Sequence, residues 1–517
     1  MSDFLLGGQV RESVSQGSST IVGSAKYNIG FIGERERGIP NKPILVNTLQ
    51  DDRLKFGGVS PTKFGAFIVR DFILNAQPYY ANIYMVRILD SSSAVASGLF
   101  GVQLTSAFTV AAPIFTVWAG QNGSKDPGTW ANSVRTNPST GVFFRCYPKG
   151  HINGLLNQYL VKIFYNGEAK ETFSATTWAE LISKVNINSS YVLLEPTNLT
   201  LDITDVVEVY PTGGTYVPST ESMYTPVHSD TNPQGLAIFD GILINEIACT
   251  EFQTVSMATT GIAYAAAHKD LPIYAYSLPY GTSDSALATA SATLLTSGIG
   301  FGAGYNAWLQ VSDEKGGKIW VPSVGAVLGL FVRVPSDNSD NLVFPPAGSD
   351  SLLVGVYDVT PIDLDINVYT RWAKRYGTNV IRRKVSPTGT NLGDFYVGSS
   401  RTNSTNPLFQ SVHIRRLMSY WGASLLTFVE SKAQKPLTPS SSKDLFTGIY
   451  KFFLAEYRAE ALENSIPFAQ ACIINITTDT SDRKVRRIVV SVIPTECQES
   501  IVLTIERNDS SLNLSIN

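Results

Sequence analysis

Asn28-Ile29-Gly30-Phe31-Ile32-Gly33 carries apolar and small side chains without a charge or a helical spacing, which reads as a strand buried on both faces. C-terminal to it the texture turns helical. Residues 49–56 form a short helix, and residues 60–75 a longer one with Phe64, Phe67, Ile68 and Phe72 on one face. Ile83-Tyr84-Met85-Val86-Arg87-Ile88 then returns as a strand. A strand, two helices and a strand begin an α/β layer.

From about residue 91 to 225 the pattern changes to short strands with frequent Gly, Pro, Asn and Thr. Strands at 159–164 and 171–173 flank Asn166-Gly167, a strong short-range hairpin signal. This stretch reads as an inserted, mostly β domain. Alternation resumes near Gly235, with helices at 254–268 and 285–296 and strands at 273–277 and 305–311. Residues 335–350 read as a long exposed loop. Beyond it come a strand at 354–359, a helix at 362–374 and two long helices. The first, 409–432, stacks Ile414, Leu417, Trp421, Leu425 and Phe428; the second, 443–462, stacks Leu445, Ile449, Phe452 and Ala459, with Glu456 interrupting. Strands at 471–477, 487–493 and 501–506 follow.

The fold class is therefore a multidomain mixed α/β (α+β) arrangement. Its parts are a discontinuous α/β domain (27–90 and 226–340), the β-rich insertion (91–225), a C-terminal domain (341–498) and two extended arms (1–26 and 499–517). In the first arm Val10, Glu12 and Val14 are spaced as along a strand. In the last, Leu503 and Ile505 precede a hinge-like Arg507-Asn508-Asp509-Ser510, after which Leu512, Leu514 and Ile516 alternate with polar residues. A strand needs a partner. Periodicity leaves two open: a sheet of the same chain, or that of a neighbouring molecule by β-augmentation.

At 517 residues the chain should hold two to four domains. Apolar residues make up 44% and charged residues only 16%, so the surface is covered largely by neutral polar side chains, which suits packing against copies of itself. Forty basic and 43 acidic residues give a net charge of −3, which calls for neither nucleic acid nor an anionic membrane. Cys146, Cys249, Cys472 and Cys497 lack ligand spacing and read as buried free thiols. The first residues lack a signal-peptide pattern and no run approaches a membrane span, so folding in the cytoplasm of the producing cell is expected.

Chemistry is hard to find. His151, His228, His268 and His413 make no metal spacing and no triad, and read as surface or structural histidines. The run from Gly298 to Gly304 is neither GxGxxG nor a Walker A loop, and reads as close backbone packing. Asp363, Asp365, Asp337 and Asp340 do not continue into a calcium loop. Arg483-Lys484-Val485-Arg486-Arg487 reads either as a solvated turn guarding an edge strand or as a grip on an acidic partner. The expectation is no cofactor, no metal, no catalytic residue and no enzyme.

The residues do carry a likeness. Gly30-Phe-Ile-Gly33-Glu-Arg-Glu-Arg-Gly38-Ile-Pro40-Asn41-Lys42-Pro43, Phe56-Gly57-Gly58, Val69-Arg70-Asp71-Phe72 and Tyr84-Met-Val86-Arg87-Ile88 resemble the N-terminal signature of contractile tail sheath proteins of myophages and related injection systems. Further matches in order are Pro127-Gly128-Thr-Trp130-Ala-Asn132, Glu171-Thr-Phe173, Trp320 to Gly329, Gly377-Thr-Asn379-Val-Ile381-Arg382, Ser399-Ser-Arg401-Thr402 and Val412-His-Ile414-Arg415-Arg416-Leu417. The sequence departs from the family at Ser323, where a second proline is usual, and at the turn Thr478-Asp-Thr-Ser-Asp482. The resemblance implies hexameric rings stacked around a tail tube, with baseplate and tail terminator as further partners. It implies terminal arms that exchange strands between subunits, and a place in a virion tail assembled in the host cytoplasm. It also implies Arg415, Arg416, Lys443 and Lys451 as candidate contacts to an acidic tube surface. The competing readings are a sheath of a non-viral injection system, a β-rich adhesin and a hydrolase hidden in the insertion.

Overall fold

The computed structural model describes residues 21, 23–103, 110–296, 298–361, 366–385, 391–432, 438–478, 481, 485–497, 503–507 and 512–516. Two compact units emerge: residues 25–416, and residues 417–517 together with the stretch up to Ser24.

The larger unit is organised on a seven-stranded sheet. Its order is Thr378–Asn379, Gly302–Tyr305, Ile273–Tyr276, Glu246–Cys249, Asn28–Gly33, Asn82–Arg87, Pro43–Val46. All neighbours run parallel except Pro43–Val46, which pairs antiparallel at the edge. Asn28–Gly33 sits between two parallel partners, and every residue in it is buried. An uncharged strand is what such a position demands.

The helices Leu49–Phe56 and Gly65–Ala76 follow, the first capped by Thr48, whose side chain accepts from the Asp51 amide. Against Gly65–Ala76 lies Val324–Asp337, a helix buried continuously from Val324 to Val332. Sequence periodicity did not resolve it. A Cβ at Gly325 would lie 2.3 Å from the Ile68 carbonyl oxygen, and one at Gly329 would lie 2.6 Å from that of Phe72. The two helices therefore touch backbone to backbone. The expected strand at 305–311 is two strands in separate sheets: Gly302–Tyr305 in the central one, and Trp308–Ser312 in a three-stranded sheet with Lys318–Pro322 and Val356–Thr360.

The insertion builds a core of its own between Ala96 and Val209. Two four-stranded antiparallel sheets and the helix Trp178–Asn188 enclose Phe100, Phe115 and Trp178, with Phe100 and Phe115 stacked at 4.2 Å. Asn166 and Gly167 both take positive φ, 51° and 82°, as a tight hairpin turn requires.

The smaller unit holds most of the helix Val412–Glu430, the helix Pro439–Arg458 and an antiparallel ribbon, Cys472–Thr478 with Arg486–Val492. Glu456, which breaks the apolar stripe, accepts a hydrogen bond from the Trp421 indole at 2.8 Å. The division between units falls after Arg416 rather than at residue 341, because residues 341–416 are bound into the larger unit by strands. Val356–Thr360 pairs with Trp308–Ser312, and Thr378–Asn379 completes an edge of the central sheet. The expected helix at 362–374 is an α-helical turn, Ile366–Thr370, running into a π-helical turn, Arg371–Arg375.

Candidate assembly site

The smaller unit ends in two antiparallel two-stranded ribbons. In the Cys472–Thr478/Arg486–Val492 ribbon, seven residue pairs are in register, from Cys472 opposite Val492 to Thr478 opposite Arg486. One face, with Ile474, Ile476, Ile488 and Val490, is half-buried, while Ile473 and Val489 on the other are 49% and 56% exposed. Leu503–Arg507 and Leu512–Ile516 form a second antiparallel hairpin, with Leu503 opposite Ile516 and Arg507 opposite Leu512. Thus the final strand pairs with the strand before it. Neither ribbon has a third strand among the described residues. Two-stranded ribbons are marginal in water, and their outer edges offer a row of unpaired N–H and C=O groups.

Val10, Glu12 and Val14 lie outside the described residues. Where description begins, the Ser24 amide donates to the Ser424 hydroxyl at 2.9 Å. Lys443 and Lys451 are exposed on Pro439–Arg458, beside the exposed and mutually stacked Phe446 and Tyr450. Arg415 and Arg416, expected from the resemblance as tube contacts, are buried in this chain. The first turns of Val412–Glu430 enter the larger unit, so Arg416 is 4% exposed, donates to Glu246 at 2.8 Å and lies over the Phe331 ring. Arg415 lies 4.9 Å from the Phe301 ring centroid, and burial pushes its pKa down to about 10. From the basic cluster, Arg486 donates to the Ser442 hydroxyl near the N-terminus of Pro439–Arg458.

Sequence reasoning missed a second feature, a charged hub at Glu34-Arg35-Glu36-Arg37-Gly38. Glu34 accepts from the Ser219 amide and hydroxyl at 2.5 and 2.7 Å and from the Tyr216 hydroxyl, holding the segment by which the insertion returns. Arg35 forms a bidentate pair with Asp52 at 2.8 and 2.6 Å, in which both side chains are fully buried. Glu36 accepts from the Gly58 amide and the Tyr165 hydroxyl. Arg37 packs over Tyr191 at 4.5 Å, with Trp130 and Tyr165 alongside. At the centre, Arg87 donates to Asp126 and to the Gly38 carbonyl, both at 2.6 Å, and to the Pro127 carbonyl at 2.8 Å. The other Asp126 oxygen accepts from the Gly38 amide at 2.7 Å. Gly38 has φ 114°, and a Cβ there would lie 2.6 Å from the Phe56 ring. Every member of the run ties the insertion to the sheet or braces a residue that does. Four consecutive charged residues, Glu34 to Arg37, directly after a buried strand in a chain only 16% charged were the available signal.

Next to the hub, Glu251 accepts from the Phe64 and Gly65 amides at 3.2 and 3.1 Å. Burial pushes its pKa up to about 7, with the nearby Glu34 charge adding and those amides opposing. Burial likewise raises Asp71 to about 6 against the pull of Arg70. A carboxyl raised above its unfolded value binds more protons in the folded state, so its stabilisation is present below about pH 4 and is lost as pH rises through 7. Thermal stability should therefore fall between about pH 4 and 7. Glu251→Gln should remove at most about 3 kcal/mol of that total loss; equal losses in melts of both proteins would refute the assignment.

The histidines make local contacts. His228 pairs with Asp240 at 2.6 Å, His268 and His413 are buried, and the His151 ring accepts from the Asn153 amide. In the glycine run, a Cβ at Gly302 would meet Ile262 at 2.7 Å and one at Gly304 would meet the Tyr276 ring at 2.8 Å. Among the described residues no cluster of three or more His, Cys, Asp or Glu could hold a metal ion, and no helix is long and apolar enough to cross a membrane.

No family model matches the sequence, and no curated protein matches it. Solved structures do match, over nearly the whole chain. A sheath tail protein of Listeria innocua matches with a TM-score of 0.59 at 14% identity, covering 96% of each chain. One of Desulfitobacterium hafniense matches with a TM-score of 0.58 at 12% identity, covering 91% of this chain and 97% of that one. The sheath of the extracellular contractile injection system PVC, in its contracted state, matches with a TM-score of 0.56 at 11% identity, covering 98% and 99%. The chain has the fold of sheath tail proteins.

Proposed function

We propose that this chain is the structural subunit of a contractile sheath. Copies stack as hexameric rings around a tail tube, and the sheath shortens and widens to drive that tube through a target envelope. The observation that carries this reading is the pair of ribbons that have no third strand among the described residues, in a chain with the sheath fold. Each ribbon edge can take a strand from a sibling, so main-chain hydrogen bonds hold a mesh together while rings rotate and slide. The role is structural rather than enzymatic. The energy of contraction is stored in a metastable extended packing, and contraction is a switch between two packings of folded units released at the baseplate.

Partners are other copies, the tube, the baseplate and a tail terminator, in a virion tail put together in the host cytoplasm. The likeness to PVC favours, as a second reading, the sheath of a non-viral injection system; capsid and terminase genes beside this one would decide for a virus. Lys443 and Lys451, exposed beside Phe446 and Tyr450, are the proposed tube contacts. Negative-stain microscopy of the purified chain should reveal hollow ringed tubes, and lone particles at every concentration would defeat the proposal. With the tube co-expressed, Lys443→Glu with Lys451→Glu should yield sheaths that have shed it.

A further inference from the structure

At the far end of the hairpin Val142–Tyr147/Tyr159–Tyr165, the connecting residues 148–158 expose three aliphatic side chains within five positions. Ile152 is 93% exposed, Leu156 80% and Leu155 40%. Single exposed aliphatics are ordinary, but a cluster raised on an ordered loop is not. The loop is ordered by its own backbone: the Gly150 amide donates to the Leu155 carbonyl at 2.9 Å, and the Gly154 amide to that of His151 at 2.8 Å. The His151 ring turns inward against Tyr147, with centroids 5.4 Å apart. Ile152 and Leu156 are thus held in water by a built scaffold.

Charge around the tip is one-sided. Between Asp126 and Glu168 the sequence has no acidic residue, while it has Arg135, Arg145, Lys149 and Lys162. Glu208 answers the two arginines, at 3.9 and 2.5 Å. Lys149 and Lys162 instead sit over the Tyr159 and Tyr147 rings, at 4.5 and 5.8 Å. Asp202, behind the loop, is engaged by the Tyr159 hydroxyl at 2.7 Å. The tip therefore presents aliphatic side chains rimmed by cations, and the rest of the chain carries all of the net negative charge.

We propose that this tip is a docking surface for a second copy of the chain, the aliphatics burying against a sibling face whose carboxylates meet Lys149 and Lys162. Charge complementarity within one sequence favours a sibling. The absence of Trp and Tyr from residues 148–158 disfavours a lipid interface, where those residues usually anchor. The inference rests on the self-assembling reading above, and adds a contact made by folded side chains rather than by lent strands.

The test uses the full-length chain carrying the photo-crosslinker Ile152→p-benzoylphenylalanine, with Ile187→p-benzoylphenylalanine as a control at another exposed site in the insertion. Irradiation under assembling conditions should give covalent dimers from position 152 about tenfold above the control, and Lys149→Glu with Lys162→Glu should remove that excess. Melting curves of Ile152→Ser with Leu156→Ser should match the parent, since both side chains lie in solvent, while its self-association weakens about tenfold in sedimentation. Tubes that form without crosslinks from position 152 would overturn the tip contact and leave the sheath reading standing. Absence of both would overturn the two together. Binding of vesicles containing phosphatidylglycerol that is lost with Ile152→Ser and Leu156→Ser, without chain dimers, would reassign the tip to lipid.

Discussion

A chain lacking residues 503–517 is expected to stay folded and monomeric, with no tubes in negative stain at concentrations where the full chain assembles. The hairpin Leu503–Arg507/Leu512–Ile516 forms its own small sheet, so its removal uncovers no strand of another sheet among the described residues. Its melting temperature should therefore hold. Assembly is a different matter, because a five-residue strand laid along a sibling's edge makes roughly four backbone hydrogen bonds at about 1 kcal/mol each. Losing them weakens each junction by about a thousandfold. One junction is breakable, and a sleeve made of hundreds is not, so the deletion acts on the polymer and spares the subunit. Ringed tubes of normal length from the truncated chain would mean that the hairpin lends nothing.

Arg87→Met is expected to destabilise the larger unit by about 3–5 kcal/mol, because it strands Asp126 as a buried carboxylate without its cation. Arg87 is fully buried and Asp126 is 1% exposed, so water cannot reach in to compensate. Four carbonyls, those of Arg35, Glu36, Gly38 and Pro127, also lose their Arg87 donor. The melting temperature should drop on the order of 5–10 °C, and limited proteolysis should cut the insertion's connecting strands first, since Arg87 ties the two parts together there. Arg87→Met combined with Asp126→Leu should regain part of the loss, because removing both charges avoids the orphan. If Arg87→Met melts with the parent and resists protease equally, the hub is not what fixes the insertion.

Much of the fold was legible because the signals are local. The strand at 28–33 needs no knowledge of its neighbours: an uncharged run of that length must be shielded on both faces. The helix Leu49–Phe56 has the bounds expected, and the helix expected at 254–268 is Val255–Ala267, capped at its start by Thr254. The Asn166-Gly167 turn followed from which residues tolerate positive φ. Val324–Asp337 escaped because its stretch from Val324 to Val332 is wholly apolar or glycine and so holds no polar position to mark a period. The candidate site was half legible: alternation marked the final strands, yet Arg415 and Arg416 looked like surface cations, since spacing along a helix does not say which face another chain segment covers.

By itself, then, the sequence settled those strands and helices whose signals are local, such as Asn28–Gly33, Leu49–Phe56 and the Asn166-Gly167 hairpin, because periodicity, capping and turn chemistry act over a few residues. Tertiary structure alone decided what those segments meet. Glu34 finds its partner 185 residues away at Ser219, and Arg416 finds Glu246 at a separation of 170. Whether a charge is a docking point or a buried tie, and whether a ribbon lacks a third strand, depends on such distant partners, and no local pattern encodes them.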